Sequence, residues 1–367
     1  MNKKLFFLLP FCLLIFTLNA HGWRTEYNEE HGYEIHFPEG ETTCAYGKPF
    51  AFYVKRGTEN KVLLDFLGGG ACWSEWSCKT GFFRKDVDPE GMAKDYKKVH
   101  GLYRRDIAEN PFKNWTHITV GYCTGDLHWG DRSKTYGSGS DSFTIHHKGA
   151  VNTQETLKWM FKEFSNPENI FITGTSAGAY ASIYWAPTII EEYKNKGTKI
   201  HQMGDSGAGI VTRDFVKESF PSWNAFKHAP KFVPGISDLE RKVASSDFKQ
   251  IYYFIAKHYP NVNFSQFNFA YDQGQIFFFE AMLEESEEDI DSEEIFRKRV
   301  ELDTNYLHEN LPNFTSFLAP GEIHTVIDKE LFYTLQFEGH SLYNWITNMV
   351  FKDQNEQVIC QKCLLED

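Results

Sequence analysis

Gly174-Thr175-Ser176-Ala177-Gly178 fits the pattern G-x-S-x-G, in which a serine sits on a sharp turn between a strand and a helix. The flanking sequence has that form: the apolar run at 168–174 (ENIFITG) reads as a buried strand, and the run that follows, through Tyr193, reads as a helix. Pro187 is expected to kink that helix or end its first part. Glycines suit the turn because side chains beside it would collide. The start of the helix offers N–H groups and the positive end of a dipole to a developing oxyanion. The chemistry implied is acyl transfer, with the Ser176 hydroxyl attacking a carbonyl and water later releasing the acyl group.

Such a reaction needs a second oxyanion donor, a base and an acid. Ala177 supplies one N–H; Gly68-Gly69-Gly70-Ala71, after the apolar run at 61–67 (KVLLDFL), can supply the other. That glycine run lacks the Lys and Ser/Thr of a phosphate-binding loop and the spacing of a dinucleotide fingerprint. For the base, His324 lies on a Pro/Gly loop late in the chain (APGEIHTVI, 319–327), and His340, after Gly339, is its rival. For the acid, Asp205 and Asp272 compete, and spacing alone does not choose between them. Gly204-Asp205-Ser206-Gly207 mimics the serine site of trypsin-like proteases, but nothing upstream has an all-β pattern.

The elements that must hold these groups alternate between strand and helix. Strand-like runs at 61–67, 116–122, 168–174 and 199–205 are interleaved with a helical run at 153–164, on which Leu157, Met160, Phe161 and Phe164 share a face. This pattern predicts an α/β-hydrolase-like fold, a mostly parallel sheet flanked by helices. With no repeat and no low-complexity linker, residues 21–367 read as a single domain. Insertions at about 211–269, rich in aromatics and without clear strands, and at about 283–315 are expected to form a cap. The acidic run at 283–294 lacks the glycine turn of a calcium loop and reads as a solvated helix face.

Of 367 residues, 38 are Lys or Arg and 50 Asp or Glu, so the formal charge is 38 − 50 = −12. With no basic stripe, nucleic acid is an unsuitable partner. Residues 1–20 have a Lys-led start, an apolar core and a small residue at Ala20, which predicts a signal peptide cleaved near Ala20 and a secreted or periplasmic protein. No later segment is long and apolar enough for stable insertion in a membrane. Six cysteines remain after the leader, an even number that suits disulfide pairing in an exported chain. Cys360-x-x-Cys363 has no second ligand pair at zinc spacing, and the chemistry needs neither metal nor organic cofactor.

Several blocks together resemble the pectin acetylesterase and Notum carboxylesterase family: CAYGKPFAFYVKRG from Cys44, FLGGGACWSEWSC from Phe66, YCTGDLHWGD from Tyr122, GTSAGAYAS from Gly174 and AYDQGQI from Ala270. APGEIHTVIDKELFYTL, from Ala319, resembles the bacterial branch of that family. The resemblance runs from about Cys44 to Trp345. It implies a triad of Ser176, Asp272 and His324, an oxyanion hole of Gly70, Ala71 and Ala177, and a Cys72–Cys78 disulfide. It also implies a secreted serine carboxylesterase for O-acyl esters, first of all O-acetyl groups on a polysaccharide. A lipid or protein deacylase of the same fold and a catalytically inactive binding module are the alternatives. The chain departs from the family at Ala71 and Gly274, where relatives carry tryptophan, and lacks a cysteine often found beside the base.

Overall fold

A computed structural model of the chain describes residues 17–18, 23–29, 32–88, 100–243, 247–284, 291–361 and 363. The expected leader, apart from Thr17 and Leu18, and the middle of the acidic run at 285–290 lie outside the described residues. The strands are β1 (Thr17–Leu18), β2 (Trp23–Asn28), β3 (Tyr33–Pro38), β4 (Phe52–Lys55), β5 (Lys61–Phe66), β6 (Thr116–Val120), β7 (Arg132–Tyr136) and β8 (Phe143–His147). They continue with β9 (Asn169–Thr175), β10 (Lys199–Asp205), β11 (Asn263–Phe269), β12 (Phe314–Ala319), β13 (Gln336–Phe337), β14 (His340–Ser341) and β15 (Val358–Ile359).

One sheet runs in the order β1-β2-β3-β4-β6-β5-β9-β10-β11-β12-β15, and two small hairpins, β7-β8 and β13-β14, stand apart from it. The pairs from β1 to β4, and β4 with β6, are antiparallel. Every pair from β6 across to β15 is parallel. β5 and β9 are largely apolar on both sides because both faces are covered. On β5 and β9, Val62, Leu64, Ile170 and Ile172 enter one core with Ala181, Trp185 and Ile189 of the helix Ala177–Tyr193. Leu63 and Phe171 point the other way, into a second core with Trp345, Ile346 and Met349 of the helix Leu342–Lys352. Alternation of side chains along a strand thus separates the two cores.

One local reading is narrowed by the structure and another differs from it. Of the kink or end expected at Pro187, the end is excluded, because the helix Ala177–Tyr193 runs through it. The stretch at 211–269 also ends in a strand of the main sheet, β11, paired with β10 and β12. Its sequence, NFSQFNF, mixes phenylalanine with polar residues, and Ser265, Gln266 and Asn268 are all buried. Ser265 donates to the carbonyl of Gln202, and Asn268 accepts from Gln275, so burial leaves these groups satisfied. Three disulfides are present: Cys72–Cys78, as the resemblance implied, Cys44–Cys123 and Cys360–Cys363.

From β5 the chain goes to β6 on one side and then to β9 on the other. In a parallel sheet, the crevice beyond the carboxyl ends of strands at such a reversal is where ligands bind. The glycine run follows β5 and Ser176 follows β9, so both candidate groups fall at this crevice.

A buried carboxyl sits in the same region of the sheet. Burial pushes Asp65 of β5 up to about 7; the Tyr103 hydroxyl opposes this, and the charges of Asp328 and Asp205 add to it. The ordinary value is 3.8, so between about pH 4 and 7 the folded chain holds a proton that the unfolded chain has lost, and stability falls as pH rises through that window. Asp65→Asn removes this penalty. Its stability relative to wild type should improve by roughly 1–3 kcal/mol between pH 4.5 and 7.5 in thermal melts; an unchanged difference at the two pH values would refute the assignment.

Candidate active site

Ser176 has φ 54° and ψ −121°, in a region side chains seldom adopt, and immediately precedes the helix Ala177–Tyr193. Its N–H donates to the Asp205 carbonyl at 2.8 Å, and its own carbonyl accepts from Ala179 at 2.9 Å. The two glycines of the motif are sterically required: a Cβ on Gly178 would lie 1.8 Å from the Phe66 carbonyl oxygen, and one on Gly174 2.2 Å from that of Gly178. The helix can therefore start in direct contact with the end of β5. The amide of Ala177, in the first turn, has no partner within its own helix.

Asp272 precedes the helix Gln273–Glu284 and is fully buried. His324 Nδ1 lies 2.8 and 3.0 Å from its two carboxyl oxygens, so Nδ1 carries the proton and Nε2 is left with its lone pair. Gln275 fixes the carboxylate with its backbone N–H on Oδ1 at 3.0 Å and its side-chain amide on Oδ2 at 3.0 Å. Burial pulls the His324 pKa down, but the Asp272 hydrogen bond and the charges of Asp272 and Asp205 outweigh it and leave the imidazole above its ordinary value. Gly274 makes room for the ring, since a Cβ there would stand 2.4 Å from His324 Cγ.

Asp205, the rival acid, does something else. Its Oδ2 accepts the backbone N–H groups of Val326 and Ile327 at 2.8 and 3.0 Å. Ser206 donates to Asp205 Oδ1 at 3.2 Å and accepts the N–H of Thr325 at 2.9 Å. Together they clamp the loop that carries His324, with Thr325 held at φ 62°. Burial and the Asp328 charge push Asp205 up to about 7, against the pull of those two amides. His340, the rival base, pairs with Glu356 at 3.2 Å and lines neither cavity at Ser176.

Ser176, His324, Gly70, Ala71 and Ala177 line one narrow apolar cavity of about 50 Å³. A wide cleft of about 910 Å³, lined by Gly68, Arg84, His100 and Asp328 among others, reaches Ser176 and His324 from outside. No hydrogen bond joins the Ser176 hydroxyl to His324 among the described residues; in ligand-free sites such bonds are often long and tighten on binding.

Sequence reasoning missed three supports. Gln275 lies inside the AYDQGQI block that carries the resemblance, but the block alone does not give its role; its place three residues after Asp272 is where a residue would reach back across a helix start. Tyr122 donates to the Gly70 carbonyl at 2.8 Å and accepts the N–H of Leu127 at 3.1 Å, bracing the glycine loop. Asp126, fully buried, accepts from Thr124, His128 and Gly149 and holds the block that begins at Tyr122. Among the described residues, the one cluster of three possible metal ligands is Cys72, Cys78 and His147, and its two sulfurs are bonded to each other.

With this geometry in view, the chain can be compared with known proteins. The Pectinacetylesterase family model matches residues 34–295, more than half of the chain. That span holds Ser176 and Asp272, but it ends before His324, short of the reach to Trp345 read from the sequence. Pectin acetylesterase 11 of Arabidopsis thaliana is 26% identical over 185 residues, 48% of this chain and 45% of that one. The human palmitoleoyl-protein carboxylesterase NOTUM is 25% identical over 175 residues, 45% of this chain and 34% of that one. The chain thus spans less than half the length of these curated relatives. The solved structure of the Wnt deacylase Notum from Drosophila superposes with a TM-score of 0.63 at 16% identity, over 88% of this chain and 95% of that one. That likeness supports the α/β-hydrolase fold, and the family match carries the further conclusion that the chain belongs to the pectinacetylesterase family.

Proposed function

We propose that the protein is an exported serine carboxylesterase that removes short O-acyl groups, acetyl before others, from a carbohydrate. The observation that carries this reading is the buried Asp272–His324 hydrogen bond opening onto the cavity that Ser176 lines. In the first step Nε2 of His324 takes the Ser176 proton as Oγ bonds to the ester carbon. Gly70, Ala71 and Ala177 surround the oxyanion. The C–O bond to the alcohol then breaks, and His324 returns the proton to that oxygen. Water repeats the sequence on the acyl-enzyme, and Asp272 stabilises the imidazolium in both halves. The leader-like start and the three disulfides support export.

The cavity favours a small acyl group. About 50 Å³ is room for roughly three to five water molecules, enough for an acetyl group. The palmitoleoyl group in the names of the Notum relatives is far larger, and Phe215, Phe248 and Met282 wall the cavity. The alcohol side of the ester then lies in the wide cleft, where Arg84 and Asp328 can meet hydroxyl groups.

The following outcomes test this reading. Ser176→Ala should lower hydrolysis of p-nitrophenyl acetate by roughly three or more orders of magnitude, and wild-type kcat/KM should fall from acetate through butyrate to octanoate; a rise toward octanoate excludes the small acyl pocket. Since His324 must be neutral to take a proton, activity should rise with pH through a midpoint above the ordinary histidine value of 6.5. Asp272→Asn removes the group that lifts it, so the midpoint should move to lower pH while kcat drops by about 10³–10⁴; Asp205→Asn should cost less, and the reverse ranking would make Asp205 the acid. Gly274→Ala should fold but lose activity by displacing the imidazole, and wild-type kcat in that variant would show that the ring is not confined as described.

A further inference from the structure

The wide cleft has an aromatic wall that the acyl-transfer chemistry does not use. Phe82 and Phe277 meet edge to face with ring centres 5.1 Å apart, Phe277 and Phe278 at 5.4 Å, and Trp76 and Phe82 at 5.1 Å. Phe82, Phe277 and Phe278 line the cleft. Trp76 extends the row outward, and it and Phe277 are 39% and 47% exposed. Single exposed apolar residues are normal on a protein surface, but a contiguous row beside a candidate site marks binding.

The row is also held rigidly. Trp76 lies on the helix Glu75–Thr80, which the Cys72–Cys78 disulfide closes and a Ser74–Ser77 capping box starts. Phe82 is tied to the glycine loop, because a Cβ on Gly70 would lie 1.7 Å from its carbonyl oxygen. Phe277 and Phe278 follow Asp272 on the helix Gln273–Glu284. The rings therefore keep a fixed position relative to Ser176. Rigid aromatic surfaces give contact area at little entropic cost.

Resting on the esterase reading above, we propose that Trp76, Phe82 and Phe277 form a platform on which a sugar ring of the substrate stacks, seating the alcohol part of the ester. A pyranose has an apolar C–H face and a hydroxyl rim. The cleft has the matching halves: the aromatic wall, and the polar groups of Arg84, His100, Gln273 and Asp328. A long acyl chain matches it poorly, since it would desolvate those charged groups without pairing them. The cleft volume of about 910 Å³ is at the upper end of the ~300–1,000 Å³ usual for small-molecule sites, so more than one sugar unit can enter.

The test pairs a ringless ester with a ringed one. Triacetin has no ring to stack, whereas p-nitrophenyl acetate has one and is unsuitable. Trp76→Ala and Phe277→Ala should raise KM for a partially O-acetylated xylo-oligosaccharide by roughly tenfold, with a much smaller loss of kcat/KM for triacetin. Phe277→Tyr should restore the lower KM. Equal losses on both substrates, or no loss on the oligosaccharide, would overturn the platform. Calorimetry in the Ser176→Ala background separates this from the esterase reading, because affinity for the same oligosaccharide needs no turnover. Weaker binding on adding Trp76→Ala supports the platform even if wild type hydrolyses neither ester; unchanged binding refutes it even if hydrolysis is fast. A defect confined to octanoyl and longer esters would assign the rings to an acyl chain and likewise refute it.

Discussion

Backbone meets backbone where Gly178 touches the end of β5, and the site is organised around that contact. With the place of its missing Cβ only 1.8 Å from the Phe66 carbonyl oxygen, the helix Ala177–Tyr193 begins closer to the neighbouring strand than any side chain would allow. Ser176 must then turn through φ 54°, a conformation that costs on the order of 1–3 kcal/mol. Its hydrogen bond to Asp205 and the helix packed into the main core hold it there. The same contact brings the loop after β5 beside the serine, so one close approach presents the hydroxyl and gathers the amides around it.

The two buried acids at the site illustrate how environment rather than spacing assigns a role. Asp205 ends β10, and Asp272 follows the end of β11, its immediate neighbour. Both are carboxylates at the carboxyl edge of a parallel sheet. Asp272 faces a ring nitrogen and a glutamine amide, whereas Asp205 faces two backbone amides of the loop carrying that ring. One orients the imidazole directly, and the other fixes the backbone from which it projects. A loop supplying such a group needs this second anchor, because unanchored loops sample many conformations.

The runs at 61–67 and 168–174, which lie within a residue of β5 and β9, were legible because fully buried parallel strands are nearly continuous apolar runs; the run at 199–205 coincides with β10 although only Ile200 and Met203 in it are large and apolar. β11 escaped notice because its polar side chains find partners only in the folded sheet. Ser176 was legible from a local pattern. The choice of Asp272 and His324 came from resemblance, since their pairing joins residues 52 positions apart and leaves no local signature. Gln275, Tyr122 and Asp126 lie in blocks that carry the resemblance, but they act by supporting other groups, and a block pattern does not show which group each one supports.

Ala71 and Gly274 bear on the shape of the cavity beside Ser176. Both are small residues on its lining, yet the cavity there is narrow. The space at Gly274 is taken by the His324 ring itself, whose Cγ lies 2.4 Å from where a Cβ would be, and Phe278 closes on the glycine loop to within 3.0 Å of the place of a Cβ on Gly70. The aromatic wall is instead supplied by Phe278, on the helix that follows Asp272. That helix carries both Gly274, which makes room for the His324 ring, and the ring that narrows the cavity, so the position of the imidazole and the width of the cavity are set by one element.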